Sequence, residues 1–459
     1  MYKIDFQKPI NVYFIGIGGI SMSGFALLLK DINFNVTGSD IKHSEVTDML
    51  EKAGISINYS QVSENISSDI DLIVYTAAIS KDNPEYVKGN ELNIPMMERA
   101  ELVGQVMKNY KHAIGISGTH GKTTTTSMLS YVFMEAEKDP TISVGGLLDG
   151  IGGNIRIGHS DYFIAESCEY TNSFLKFHPT AEIILNVEAD HLDFFKDLDD
   201  IRNSFKKFAE IIPEYGVLVI NGEIENTAFF TDACKGKCIT YGLNGDFDYT
   251  AKDIEFNENG CPSFVPVKNG EEMDRISLNV VGIHNVYNAL SVIAMAEFFG
   301  IAYKSIAEGL GKYGGTHRRF EKKGQFNGVT VIDDYAHHPT EIEATLNAAK
   351  EYPKNKLWVV FQPHTYSRTK ALFNDFARVL SKAENVVVAD IYAAREKDPG
   401  DINSQMLSDA INASGGNSVY ISGFDEIKKY FLKKCINGDL LITMGAGNVV
   451  DIGNELVEK

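Results

Sequence analysis

A chain of 459 residues exceeds what one hydrophobic core supports, so about three domains are expected. Its 44% hydrophobic and 23% charged residues are those of a soluble globular protein. The formal net charge of −19 repels nucleic acid and anionic membrane and removes both as expected partners, while a nucleotide held at short range by a few lysines or arginines stays open.

In chain order, residues 12–15 form an apolar run that turns at Gly16-Ile17-Gly18-Gly19 and passes into an apolar helical stretch through residues 27–29. A second strand at 35–37 stops at Gly38-Ser39-Asp40, a buried run follows at 72–75, and a helix is expected at 97–107. Strand and helix alternate here as in βαβ units. The next block opens with a strand at 113–116, a glycine-rich loop and a helix at 123–133. Apolar runs at 162–165 and 183–187 each stop at acidic residues. Residues 241–280 turn β-like, and a helix at 286–299 leads toward a hinge at Gly314-Gly315. Strands at 329–332, 357–361, 386–389, 419–421 and 440–444 then alternate with helices, which predicts a second open, largely parallel sheet.

Five cysteines, Cys168, Cys234, Cys238, Cys261 and Cys435, are odd in number, and only Cys234 and Cys238 are closely spaced. Neither a disulfide framework nor a zinc cluster follows. With no basic-plus-apolar leader in MYKIDFQKPI and no apolar run of ~18 residues, a reduced, cytoplasmic protein is expected. The oligomeric state stays open between monomer and dimer.

The loop Gly118-Thr119-His120-Gly121-Lys122-Thr123 follows a strand and opens a helix, the setting a phosphate site needs. Glycines let backbone N–H groups reach the phosphates, and the helix N-terminus adds partial positive charge. Lys122 is placed to reach the outer phosphates of ATP, and the Thr123 hydroxyl suits Mg²⁺. The usual first glycine of such loops is replaced by Ile116. Glu166 and the run Glu188-Ala189-Asp190-His191 end the next two apolar strands, where ligands of open α/β sheets collect. Thr123, Glu166 and His191 are therefore the candidate metal set, although histidine is a second-best ligand for Mg²⁺.

Gly16-x-Gly18 after a strand, with Asp40 where a ribose-binding acid would stand, also fits a dinucleotide-binding turn. That keeps an NAD(P)-binding oxidoreductase as an alternative of another class. Ser21 takes the place of the motif's third glycine, and Gly18-Gly19 with Gly24 suits a tight turn that admits a diphosphate to a helix N-terminus. A merely structural turn fits equally well.

Several runs occur together and in order. They are Gly16 through Gly24, GTHGKTTTT from Gly118, and Asn186-x-Glu188-Ala189-Asp190-His191, followed by Gly282-x-His284-Asn285-x-x-Asn288 and Arg318-Arg319-Phe320. Asp333-Asp334-Tyr335-Ala336-His337-His338-Pro339 and the run from Phe361 to Arg368 complete the set. Across essentially the whole chain this resembles the Mur ligases of peptidoglycan precursor synthesis. The resemblance implies a three-domain α/β protein: a Rossmann-like UDP-sugar domain at 1–108, a central P-loop ATP-binding domain at 109–317 and a Rossmann-like C-terminal domain at 318–459. It implies ATP and Mg²⁺ as cofactors, with UDP-N-acetylmuramic acid and L-alanine as substrates. A ligase that recycles a tripeptide onto the same UDP-sugar is the alternative within the family.

By resemblance, Gly118, Thr119, His120, Gly121, Lys122, Thr123 and Thr124 hold the ATP phosphates. His284, Asn285, Asn288, Arg319 and Asp334 hold its adenosine, and Thr123, Glu166 and His191 hold Mg²⁺. Gly18, Gly19, Ile20 and Ser21 would hold the uridine diphosphate, with Asp40 near the nucleoside, while Tyr335, His337 and Arg368 serve the reacting end. Thr365 stands where several members carry arginine, which puts more weight on Arg368. Joining a carboxylate to an amine is uphill in water, so an acyl phosphate made with Lys122 and Mg²⁺ is the expected intermediate. His337 is the candidate base or positioner for the attacking amine.

Overall fold

The computed structural model describes residues 3–76, 78–192, 194–394 and 396–458, and three β-sheets follow one another along them. The first is wholly parallel and five strands wide, in the order Ser56–Asn58, Asn35–Ser39, Asn11–Ile15, Leu72–Tyr75, Met96–Glu98. Val12 to Ile15 are buried on both faces, as a central parallel strand requires. The chain leaves this central strand in opposite directions on its two sides, which opens a crevice at its carboxyl end, where Gly16 to Gly19 lie. The helix expected at 97–107 is corrected in its first turn. Pro95 accepts a hydrogen bond from Ile73 N–H, draws Met96–Glu98 onto the sheet edge, and delays the helix to Arg99–Met107.

The second sheet has 11 strands. Its parallel centre runs Val217–Asn221, Ala181–Ile184, His112–Ser117, Tyr162–Glu166, Thr141–Leu148. An antiparallel hairpin to Gly153–Arg156 closes one side, and Tyr249–Phe256 with Pro262–Lys268 extends the other. The strand expected at 183–187 ends at Ile184, because Asn186 leaves the ladder to pair with His120. The helix Lys122–Glu135 begins at Gly121, whose φ of 84° suits glycine. Ser127 and Ser130 bond back to the carbonyls of Thr123 and Thr126, and burial of Met128, Leu129, Val132 and Phe133 holds this threonine-rich helix in place.

The third sheet runs Glu321–Phe326, Val329–Asp334, Leu440–Met444, Leu357–Phe361, Asn385–Val388, Ser418–Tyr420. All its pairings are parallel except the first. That added edge strand is joined through Asn327-Gly328, both at positive φ (47° and 79°), a tight hairpin signature.

One hydrophobic cluster passes without a break from the first sheet into the second. Leu102, Val103, Val106 and Met107 of the helix Arg99–Met107 join Phe163, Phe174 and Phe208 in it. Met107 and Tyr110, on either side of Lys108, are therefore packed into this core. The third sheet has cores of its own. Among the described residues no helix is long and apolar enough to cross a membrane.

Candidate active site

The phosphate loop is held from below by the strand end beside it. His120 N–H donates to Asn186 Oδ1 at 2.8 Å, Asn186 Nδ2 donates to His120 O at 3.1 Å, and Glu188 N–H donates to Thr119 Oγ1 at 2.9 Å. Gly118 adopts φ 140°, and a Cβ there would lie 2.9 Å from Leu185 Cβ, so the loop closes only with glycine at that point. Lys122 Nζ donates to Gly118 O and Thr119 O and forms an ion pair with Glu169 at 3.0 Å. Burial favours the neutral amine, yet Glu169, with Cys168 and Glu166 nearby, raises the Lys122 pKa above the ordinary lysine value.

Glu169 is almost fully buried and reaches His191 as well, with 3.6 Å from its Oε1 to Nε2. A Glu-x-x-Glu spacing is legible in the sequence, but nothing in it marks the second carboxylate as the partner of a lysine 47 residues earlier. Glu166 ends its strand as expected and accepts a 2.6 Å hydrogen bond from Gly145 N–H. A Cβ on Gly145 would sit 2.6 Å from Glu166 Oε2, and one on Gly146 would sit 3.2 Å from Thr123 Cγ2. Two glycines thus keep a space beside a carboxylate and a threonine, an oxygen donor set that fits Mg²⁺. His191, at φ 53°, is turned to Glu169 and stacks its ring 4.5 Å from Tyr170.

A cavity of about 360 Å³ opens from this loop. His120, Gly121 and Thr124 form its floor, His284, Asn285 and Asn288 one wall, and Arg319 and Asp334 the opposite wall. The five candidate adenosine residues therefore meet in one space with the loop. Asn288 Nδ2 donates to Asn285 Oδ1 at 3.0 Å and Asn285 Nδ2 to Val281 O at 2.8 Å, which fixes both amides. Burial, then the charge of Arg319, lowers the His284 pKa to about 4, so that ring is neutral. Arg318 and Arg319 lie 4.8 and 5.2 Å over the Tyr335 ring, and Arg318 is also tied to Asp333 and to Gly445 O. Gly445 is thereby a structural turn. Burial lifts Asp334 to about 6 despite Arg319.

A second cavity of about 560 Å³ abuts the first. Glu188 lines one and Ala189, Asp190 and His191 line the other, so four consecutive residues form the partition. Arg368 faces this cavity and donates to Asp190 Oδ1 at 3.2 Å. Thr365 is also on its wall, at φ 64°, and caps the following short helix through Arg368 N–H. His337 holds its Nδ1 3.0 Å from Tyr335 O and 3.3 Å from Glu341 Oε2. Two acceptors there place the proton on Nδ1 and leave Nε2 an acceptor. Burial outweighs Glu341 and lowers the His337 pKa to about 4, which suits orienting an amine better than removing its proton.

The seam between the second and third sheets is polar. His120 Nδ1 lies 3.3 Å from Glu341 Oε1, and its Nε2 approaches Glu188 Oε2 at 3.4 Å as an ion pair without hydrogen-bond alignment. Burial opposes protonation, but the two carboxylates raise the His120 pKa to about 9. Thr340 Oγ1 donates to Glu188 Oε2 at 2.6 Å, and His338 Nε2 lies 3.2 Å from Ala189 O.

At the first sheet, Gly18 N–H donates to Asp40 Oδ2 at 2.9 Å, and a Cβ on Gly18 would lie 2.8 Å from that oxygen. Asp40 thus braces the turn, and the Gly18 amide is engaged by a carboxylate. Ile20 and Ser21 open the helix Ile20–Asp31, whose first N–H groups lack intrahelical acceptors. Arg99 Nη1 donates to Ser21 Oγ at 3.2 Å, and Asn154 of the second block donates to Ile20 O.

Three family models match in order: the Mur ligase family catalytic domain over residues 11–111, the Mur ligase middle domain over 116–296, and the Mur ligase glutamate ligase domain over 318–447. The chain belongs to the Mur ligase family. Among Mur ligases it is 56% identical to the UDP-N-acetylmuramate–L-alanine ligase of Lachnospira eligens and 53% identical to that of Agathobacter rectalis, each over 100% of both chains. The crystal structure of UDP-N-acetylmuramate-alanine ligase from Thermotoga maritima superposes with a TM-score of 0.81 at 30% identity, covering 98% of each chain. A murein peptide ligase from Psychrobacter arcticus shares the fold, with a TM-score of 0.70 at 23% identity and 98% of each chain covered.

Proposed function

We propose that this Mur ligase works in the cytoplasm, where it joins L-alanine to the carboxylate of UDP-N-acetylmuramic acid and consumes ATP to give ADP and phosphate. The observation that carries the reading is the pair of abutting cavities, one built around the phosphate loop and one around Arg368, partitioned by residues 188–191. A nucleotide in the first has its outer phosphates at the wall of the second, where an acid and an amine are to be joined. The names of the full-length relatives at over half identity support L-alanine over a tripeptide. The oxidoreductase alternative leaves Lys122, Glu166 and the second cavity without a role.

In this reading the acceptor carboxylate takes the γ-phosphoryl group, and the alanine amine displaces phosphate from the resulting acyl phosphate. Lys122 leaves Glu169 for the phosphates and neutralises charge developing there. Thr123 and Glu166 would hold Mg²⁺, which neutralises phosphate charge when bound; His191, turned to Glu169, would act at longer range. Arg368 holds a carboxylate, and His337 Nε2 accepts from the incoming amine and sets its direction. Gly18, Gly19, Ile20 and Ser21, with Asp40 near the nucleoside, would hold the UDP moiety, Ile20 and Ser21 supplying amides to the diphosphate. The division at 1–108, 109–317 and 318–459 assigns the three ligand roles in order.

The test measures phosphate release with UDP-N-acetylmuramic acid and Mg²⁺–ATP, adding L-alanine, other amino acids or the tripeptide separately. Release with L-alanine is expected. Release with the tripeptide alone, or none without a nicotinamide cofactor, overturns the assignment.

A further inference from the structure

The helix Pro339–Glu351 starts with a capping box in which Glu341 accepts from His338 N–H at 3.3 Å and from His337 N–H at 3.0 Å. Both bonds use Oε2. Capping needs no more than that. The other oxygen points away from the helix into the seam, where Oε1 lies 3.3 Å from His120 Nδ1 and 3.7 Å from Arg319 Nη1. One side chain, 12% exposed, therefore touches the phosphate loop of the second sheet, the arginine on the far wall of the nucleotide cavity, and the backbone of the candidate amine-orienting histidine.

We propose that Glu341 is a positioning residue for the ligation, its Oε1 locking the third domain onto His120 so that one nucleotide meets Lys122 and Arg319 together. The inference rests on the ligase reading above. His120 is the other half of the lock, faced by Glu188 from its own domain, by Glu341 from the third, and by the His338 ring at 4.7 Å. An imidazolium between carboxylates from two domains holds them in register, and removing one carboxylate leaves the loop without its link across the seam. Thr340 to Glu188 is a neutral-to-charged contact one residue away and bears on the partition, not on the phosphate loop.

Glutamine serves a capping box as glutamate does, so Glu341→Gln separates the two oxygens' duties. In the full-length protein this variant should stay folded at the assay temperature, its unfolding temperature lowered by on the order of a few degrees as the His120 ion pair is lost. Its kcat should fall about 10²-fold, as misplacement of reacting groups causes, with KM for the UDP-sugar unchanged. Glu341→Asp should recover part of that kcat. Glu341→Gln combined with His120→Gln should lose no more than the worse single variant, because the two act as one contact. A Glu341→Gln enzyme within about threefold of wild type, losses that multiply in the double variant, or a kcat that Glu341→Asp does not recover at all would each overturn the proposal. Calorimetric binding of ADP runs alongside and should weaken about tenfold on Glu341→Gln; unchanged affinity also overturns it. If the wild type releases no phosphate with L-alanine, the functional reading falls, while the ADP measurement still decides the role of Glu341.

Discussion

Two seams divide this molecule, and they are built from opposite materials. Between the first and second sheets the contact is centred on one continuous apolar cluster, with Lys176–Glu98 and Asn154–Ile20 at its margin, and Gly104 fits so closely that a Cβ there would lie 2.0 Å from Lys176 O. Between the second and third it consists of His120–Glu341, Thr340–Glu188, His338–Ala189 and Arg368–Asp190. Apolar burial is non-directional and strong, so the first seam holds its partners permanently. A seam of charges trades its contacts for water or substrate at little net change, which suits domains that part and close during turnover. The turn proposed for the UDP moiety thus sits on a continuous apolar core, and the candidate nucleotide cavity on a polar seam.

The sharpest way to break that contrast is at Lys122. Lys122→Ala should reduce phosphate release at least about 10³-fold, on the scale of losing a preorganised charge stabiliser, in a protein still folded at the assay temperature although its unfolding temperature falls as buried Glu169 loses its cation; near-normal turnover would refute the phosphate role. Arg368→Ala should cost about 10²-fold in kcat and leave ADP affinity unchanged by calorimetry, since Arg368 faces the second cavity alone; parallel losses would mean the cavities are not separate in function.

At the apolar seam the pattern should invert. Gly104→Ala should destabilise by about 2 kcal/mol through overpacking against the Lys176 carbonyl, read by denaturant unfolding, with kcat of the remaining folded enzyme little changed.

The smallest effect concerns pH. The folded pKa of His120, about 9, exceeds the reference 6.5, so its stabilisation is complete below 6.5 and is lost as pH rises through about 9. His284 and His337, with folded values of about 4, act in the other sense, and their stability is lost as pH falls from 6.5 toward 4. Unfolding temperature should therefore drop on the order of a few degrees on either side of neutrality, and His120→Gln should flatten the alkaline side only. An unchanged alkaline limb would remove His120 from the seam's energetics.

Much of this was legible in the sequence because it is local. The phosphate loop announces itself by strand, glycines and helix in one stretch, and the third sheet by regular alternation of apolar runs. The edge strand Glu321–Phe326 goes unread because its polar sequence, EKKGQF, holds no apolar run; Asn327-Gly328 is the local turn signal that could have found it. What stayed hidden is tertiary. Glu169 and Glu341 look like ordinary solvated carboxylates until folding brings each against a cation from a distant segment. Phe194 and Phe195 are adjacent and alike, yet one is exposed and the other buried at 2%. No spacing rule separates such neighbours, because the neighbouring elements decide which ring finds a core.

The candidate nucleotide cavity is lined by both Asn285 and Arg319, and these lie in segments matched by different family domains. Its outline thus depends on how two domains sit against each other. A small molecule shaped to fill it would act as an adhesive, welding a moving part in one posture, and would be felt in solution as a narrower distribution of shapes as much as a lost reaction.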